Sequence, residues 1–160
     1  MTSGLLVTRT IPQLLSDAAS RNPNGTWIRT DTAELTFSAA ADAVGARVAG
    51  LREHGVRRGD LVALTAHTTA PYLLAWLAIA SLGAIAVPMN PASSPPEFAG
   101  LLAQTRPKAL ITDADGRTAH PRIHGDLVVD PPQDPAHIEQ GRTGRLRVIA
   151  GGAGQHPQRQ

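Results

Sequence analysis

Cysteine is absent from the 160 residues. Its absence excludes a disulfide framework, a thiolate metal site and a cysteine nucleophile, and it is in keeping with a reducing cytoplasm. Aromatic residues make up 3% of the chain, so a core must be built from Ala, Leu, Val and Ile. Lysine occurs once, at Lys108. An excess of either charge is also missing over most of the length. Residues 1–116 hold nine Lys/Arg and nine Asp/Glu, whereas residues 117–160 hold six Arg against four acids and supply the whole net charge of +2. The pI of 9.9 is therefore a property of the tail. That tail has no interleaved aromatics and no run of adjacent basic residues, so no nucleic-acid partner is expected. The opening MTSGLLVTRTIPQLL lacks a basic stretch followed by an apolar run, and no signal peptide is expected. With 42% apolar residues, a chain of this length has enough material for one buried core.

What the chain does have is a long uncharged run. From Leu61 to Pro96 there is no Asp, Glu, Lys or Arg. The stretch YLLAWLAIASLGAIAVPMNP, Tyr72 to Pro91, approaches the roughly 20 apolar residues a membrane span needs. It is rich in Ala, and Ser81-Leu82-Gly83 interrupts it. Gly suits the residue just past a helix end, where φ turns positive. Ile85-Ala86-Val87 is a short β-branched run that Pro88 stops. Thr68 or Thr69 can cap a helix, and Pro71 is tolerated in its first turn. The pattern predicts a buried helix over 69–82, a turn at Gly83 and a strand over 84–88. A membrane-associated protein is the lesser alternative.

The remaining text alternates similarly. Ile11 to Arg21 is amphipathic, with Thr10 as its cap and Pro12 in its first turn. Asn22-Pro23-Asn24-Gly25 is a turn. Thr26–Thr30 and Glu34–Phe37 are short strands around Asp31-Thr32. Ser38 is placed as the cap of a long helix reaching about His54, with the stripe Ala40, Val44, Val48 and Leu51. Gly45 and Gly50 weaken that helix by up to about 1 kcal/mol each, and Gly55 ends it. Leu61–Thr65 is a continuous apolar strand of the kind covered on both faces. Ser94 caps a helix from about Pro95 to Gln104. Lys108–Thr112 and Leu127–Val129 are further strands. From residue 34 to 112 this alternation of strand and helix predicts an α/β fold: three layers, with a mostly parallel sheet flanked by helices. Residues 1–130 form that unit, and the Pro/Gly-rich residues 131–160 are expected to be poorly ordered.

Several blocks carry a family resemblance. TIPQLLSDAASRNPNGTWI, LTFSAAADAVGARVAGLREHGVRRGDLVAL and LLAWLAIASLGAIAVPMNPASSPPEFAGLLAQTRPKALIT follow one another as in the N-terminal part of adenylate-forming enzymes. These AMP-dependent synthetases include acyl-CoA ligases, peptide-synthetase adenylation domains and luciferases. Gly55 to Ala63 resembles the family's GV-x-x-GD-x-V-A turn. Gly83 to Pro91 resembles its G-A-x-x-V-P-x-N-P block, and Asn90 leans toward the acyl-CoA ligase branch. The resemblance covers residues 10–113. Two places depart from the pattern: Ala66 to Ala70 replaces an Asn-containing loop, and Ser38-Ala39-Ala40 replaces an acidic helix start.

The resemblance implies ATP-dependent activation of a carboxylic acid, with ATP, Mg and CoA used by complete relatives. Such chemistry needs loop N–H groups, hydroxyls and a Lys around the phosphates. The family's Ser/Thr/Gly-rich loop ending in Pro-Lys-Gly does not occur in these 160 residues. Gly141-Arg142-Thr143-Gly144-Arg145 lacks the hydroxyls and the Lys. The expectation is a truncated member, inactive alone, with no catalytic, cofactor-binding or metal residue of its own. The alternatives are a non-catalytic interaction module, or one part of a split ligase that pairs with a complementary chain or with itself. Other candidate sites have plainer explanations. Pro121 argues against a metal-binding helix through His120 and His124. Asp113 and Asp115, with Gly116, make a turn. Gly151-Gly152-Ala153-Gly154 lacks the helix that a dinucleotide loop requires. Asp60 is a turn residue capping backbone N–H groups, and Trp76 belongs to the core.

Overall fold

The computed structural model of the chain describes residues 9–30, 34–113 and 128–129. In chain order the elements are α1 (Ile11–Arg21), β1 (Thr26–Arg29), β2 (Glu34–Thr36), α2 (Phe37–Glu53), β3 (Leu61–Thr65), α3 (Ala70–Leu82), β4 (Ile85–Pro88), α4 (Pro95–Thr105), β5 (Ala109–Thr112) and β6 (Val128–Val129).

The uncharged run folds as a strand, a helix and a second strand. Thr69 caps α3, its side chain accepting from the Tyr72 N–H at 3.4 Å. Ala70, Leu74, Ala75, Leu77, Ala78, Ile79 and Leu82 are all buried, so the helix has no polar face. Gly83 ends it in the left-handed region at φ 76°. The Ala84 N–H then reaches back to the Ile79 carbonyl at 3.1 Å, satisfying a carbonyl the helix end would otherwise leave orphaned. At thirteen residues α3 spans only about 20 Å. Among the described residues no helix is long and apolar enough to cross a membrane.

β4, β3, β5 and β6 form one parallel sheet in that spatial order. Leu61 pairs with Ile85, Val62 with Ala109, and Leu110 with Val128. Side chains alternate across β3, as the strand period requires. Val62 and Leu64 join Ala109 and Ile111 in a core with Leu15 of α1, Leu51 of α2 and Leu74 of α3. Ala63 and Leu110 face the other way, toward Phe98 of α4 and Met89. The three layers are thus α1–α2–α3, the sheet, and α4. Edge strand β4 carries Pro88, which offers no N–H to a further strand.

Local chemistry sets most boundaries. The Thr10 hydroxyl accepts from the Gln13 N–H, and the Gln13 side chain accepts from the Thr10 N–H at 2.8 Å. Ser94 donates from both its N–H and its hydroxyl to Glu97, and these bonds hold the Glu97 carboxyl below its ordinary value. Asp60 accepts from the Arg57 N–H at 2.7 Å, the turn-capping role expected of it. Trp76, also as expected, packs against the core.

Two expectations are corrected. The cap of α2 is Thr36 and not Ser38: the Ala39 N–H donates to the Thr36 hydroxyl at 3.2 Å. The turn at 22–25 is the reason. Its Gly25 and Pro23 carbonyls accept from the Phe37 and Ser38 N–H groups, each at 3.0 Å, so the helix starts two residues early. The strand from Glu34 also stays out of the parallel sheet. It pairs antiparallel with β1 as a separate two-stranded ribbon, where Trp27 lies 6.5 Å from Phe37. The segment 131–160 lies outside the described residues.

Gly83 is a sensitive point. A Cβ there would meet the Arg58 Cγ at 3.1 Å and would sit on an unfavourable φ. Gly83→Ala is expected to lower stability by about 1–2 kcal/mol, read from the urea midpoint. Gly45, mid-helix with nothing within 4 Å, is the control, and Gly45→Ala should raise it by about 0.5–1 kcal/mol.

Candidate functional site

In a parallel sheet the crevice for ligands lies outside the carboxyl ends of the strands, where successive connections leave in opposite directions. Here β3 connects to β4 on one side, while β5 lies on its other side. The switch point is therefore between β3 and β5. Two polar residues lie within two positions of these strand ends. His67 leaves β3, and Asp113 leaves β5.

They meet. Asp113 Oδ2 accepts from the His67 N–H at 2.9 Å and contacts His67 Nδ1 at 2.9 Å. The Asp113 side chain is 21% exposed and that of His67 61%. The carboxylate selects the Nδ1-protonated ring, a way of orienting an imidazole that metal sites and triads also use. One strand step below, Thr65 and Thr112 are register partners and fully buried. The Thr112 hydroxyl donates to the Asp113 carbonyl at 3.4 Å, whereas Thr65 Oγ1 has no partner. Thr69, two residues past His67, starts α3, so the dipole of that helix also points at this crevice. Asn90 closes the β4–α4 loop by accepting from the Ala92 N–H at 3.0 Å.

Asp113 was expected only as a turn residue, and the sequence reading missed His67. The signal was present as one polar ring-bearing residue and one carboxylate, each within two residues of the end of a continuous apolar strand. Asp115, His120, His124, the 141–145 stretch and the 151–154 glycines lie outside the described residues.

The most perturbed ionisable group is elsewhere. Arg47 on α2 is 7% exposed, and burial alone pushes its guanidinium down to about 10. Its Nη1 donates to the Ala43 carbonyl at 3.0 Å, while Nε and Nη2 have no partner. No carboxylate accompanies it, and it lies within helix packing, so its perturbation marks a strained core position and not chemistry.

ATP and its metal do not fit the residues described. No group of three or more His, Asp or Glu among them is placed to hold a metal ion. Lys108 immediately precedes β5, at the opposite end of the sheet from His67 and Asp113.

The sequence model for the AMP-binding enzyme family matches residues 15–154. The chain belongs to that family. The match continues past residue 113, where the resemblance of individual blocks stops. Protein Y of Streptomyces griseus is 36% identical over 105 residues, which are 66% of this chain and 34% of that protein. The 4-coumarate–CoA ligase-like 3 of Oryza sativa subsp. japonica is 35% identical over 89 residues, 55% of this chain and 15% of that protein. This member therefore spans about a third of the first relative's length and 15% of the second's. In fold it is similar to the N-terminal domain of FACL13 from Mycobacterium tuberculosis, with a TM-score of 0.67 at 23% identity over 70% of this chain and 29% of that one. The adenylate-forming N-terminal architecture expected from the sequence is the one found.

The clasp between the two strand ends makes a quantitative expectation. Asp113→Ala removes the acceptor of two bonds and should cost about 1–2 kcal/mol in urea unfolding. His67→Ala should cost less, because its backbone N–H still reaches the carboxylate. A larger loss from His67→Ala than from Asp113→Ala would contradict this geometry.

Proposed function

We propose that this chain is the N-terminal scaffold of a cytoplasmic, ATP-dependent carboxylate ligase of the acyl-CoA ligase kind, and that it does not activate acids until joined by polypeptide carrying the phosphate loop. The single observation behind this reading is the family match over residues 15–154 in a sequence without the Ser/Thr/Gly-rich loop ending in Pro-Lys-Gly. ATP, Mg and CoA belong to the complete enzyme in this reading. No residue described here is assigned a step of the reaction. The contribution of these residues is positional: a rigid sheet whose carboxyl ends, clasped by His67 and Asp113, present a preformed crevice to the completing polypeptide.

The test is pyrophosphate exchange. The purified chain is incubated with ATP, radiolabelled pyrophosphate and a panel of aliphatic and aromatic carboxylates. Exchange should stay at background for the chain alone and appear when a polypeptide bearing the missing motifs is added. Robust exchange by the chain alone would refute the dependence. A stable complex without exchange would favour a non-catalytic interaction module instead.

A further inference from the structure

Three helix C-termini and five cations converge on the amino edge of the parallel sheet. Arg52 lies in the last turn of α2, Arg57 and Arg58 on the turn into β3, Arg106 just past α4, and Lys108 just before β5. Contacts place four of them on this edge. Arg57 Nη1 donates to the Arg52 and Val56 carbonyls at 2.9 and 3.1 Å. The Lys108 N–H donates to the Leu61 carbonyl at 2.7 Å, and its Cε lies 3.9 Å from where a Cβ on Gly55 would stand. Arg58 lies over Gly83, whose carbonyl accepts from the Gly59 N–H at 2.9 Å. All five basic residues are exposed. Among the described residues, the ion pairs are Arg9–Asp17, Arg29–Glu34 and His67–Asp113, so none involves these five.

Among the described residues the local acids are Glu53 and Asp60, which leaves an excess of +3 here. Elsewhere the described residues hold Arg9, Arg21, Arg29 and Arg47 against Asp17, Glu34, Asp42, Glu97 and Asp113, an excess of −1. Part of the edge charge answers the helices. Each C-terminus carries about half a negative charge, so three of them offset roughly half of the +3. The rest has no counter-charge among the described residues.

The surroundings indicate what would bind. All five aromatic side chains, Trp27, Phe37, Tyr72, Trp76 and Phe98, pack against the two cores, so this edge has no platform for stacking bases. Ile85, 52% exposed, stands at the same edge with its N–H on the Asp60 carbonyl. An exposed aliphatic side chain bordered by arginines has the composition of a protein interface. We propose that the amino edge of the sheet, Arg52, Arg57, Arg58, Arg106 and Lys108 around Ile85, docks an acidic face of a partner protein. This surface is at the opposite end of the strands from the His67–Asp113 crevice, and a partner seated there leaves the crevice open.

The test uses the full chain and three labelled or suspended probes: poly-L-glutamate, a 20-nucleotide single-stranded DNA, and vesicles of equal parts phosphatidylserine and phosphatidylcholine. Polyglutamate should bind more tightly than the other two and should weaken as salt rises. Arg58→Glu/Lys108→Glu should weaken it by about tenfold or more, and Arg106→Gln/Lys108→Gln by a smaller factor. Arg21→Glu/Arg29→Glu makes the same net charge change away from this edge and should leave affinity within about twofold. Circular dichroism and urea midpoints check that each variant folds, and the Gln pair decides if the Glu pair does not. Equal weakening by the two charge reversals, no binding of polyglutamate, or tighter binding of DNA or vesicles would overturn the proposal.

Discussion

A helix without a polar face must be hidden, and hiding α3 organises the rest of the chain. Each of its fully buried leucines is worth about 1.5–3 kcal/mol relative to exposure, and seven of its thirteen residues are buried. α1 and α2 cover it on one side and the sheet on the other. The same packing explains Arg47. The buried positions of α2 are Ala40, Ala43, Val44, Arg47, Gly50 and Leu51, and one of them happens to hold a guanidinium. Two of its nitrogens give up water without gaining a partner, a cost the surrounding apolar contacts must offset.

Parallel strands impose a polarity on everything attached to them. Connections that return each strand to the same end bring helix N-termini to the carboxyl edge and helix C-termini to the amino edge. Carboxylate and imidazole meet at the first, across the β3–β5 switch point. Guanidinium and ammonium groups gather at the second. The two ends of one sheet therefore have different chemistries: a carboxylate–imidazole clasp at one and a basic rim at the other.

The elements legible in the sequence were those determined by neighbours in the chain. Thr10, Thr69 and Gly83 each act within four residues of themselves, and the helices they bound were found where the text placed them. What was not legible depends on distant partners. Ser38 is as good a cap as Thr36 until the 22–25 turn takes its N–H. β2 looks like a first sheet strand until β1 pairs with it. The stripe Ala40, Val44, Val48 and Leu51 was centred a little off, because Arg47 is buried and Val48 only half so. His67 and Asp113 are 46 residues apart, and only the register of Thr65 with Thr112 brings them together.

The account rests on α3 being the sealed centre of a single cooperative layer. Native-state hydrogen exchange of the full chain tests this most directly. The amides of α3, β3 and β5 should be the slowest to exchange and should share one opening free energy, equal to that of global unfolding. If α3 exchanged at the rate of an unstructured peptide while β3 stayed protected, the helix would not be the element on which the fold depends.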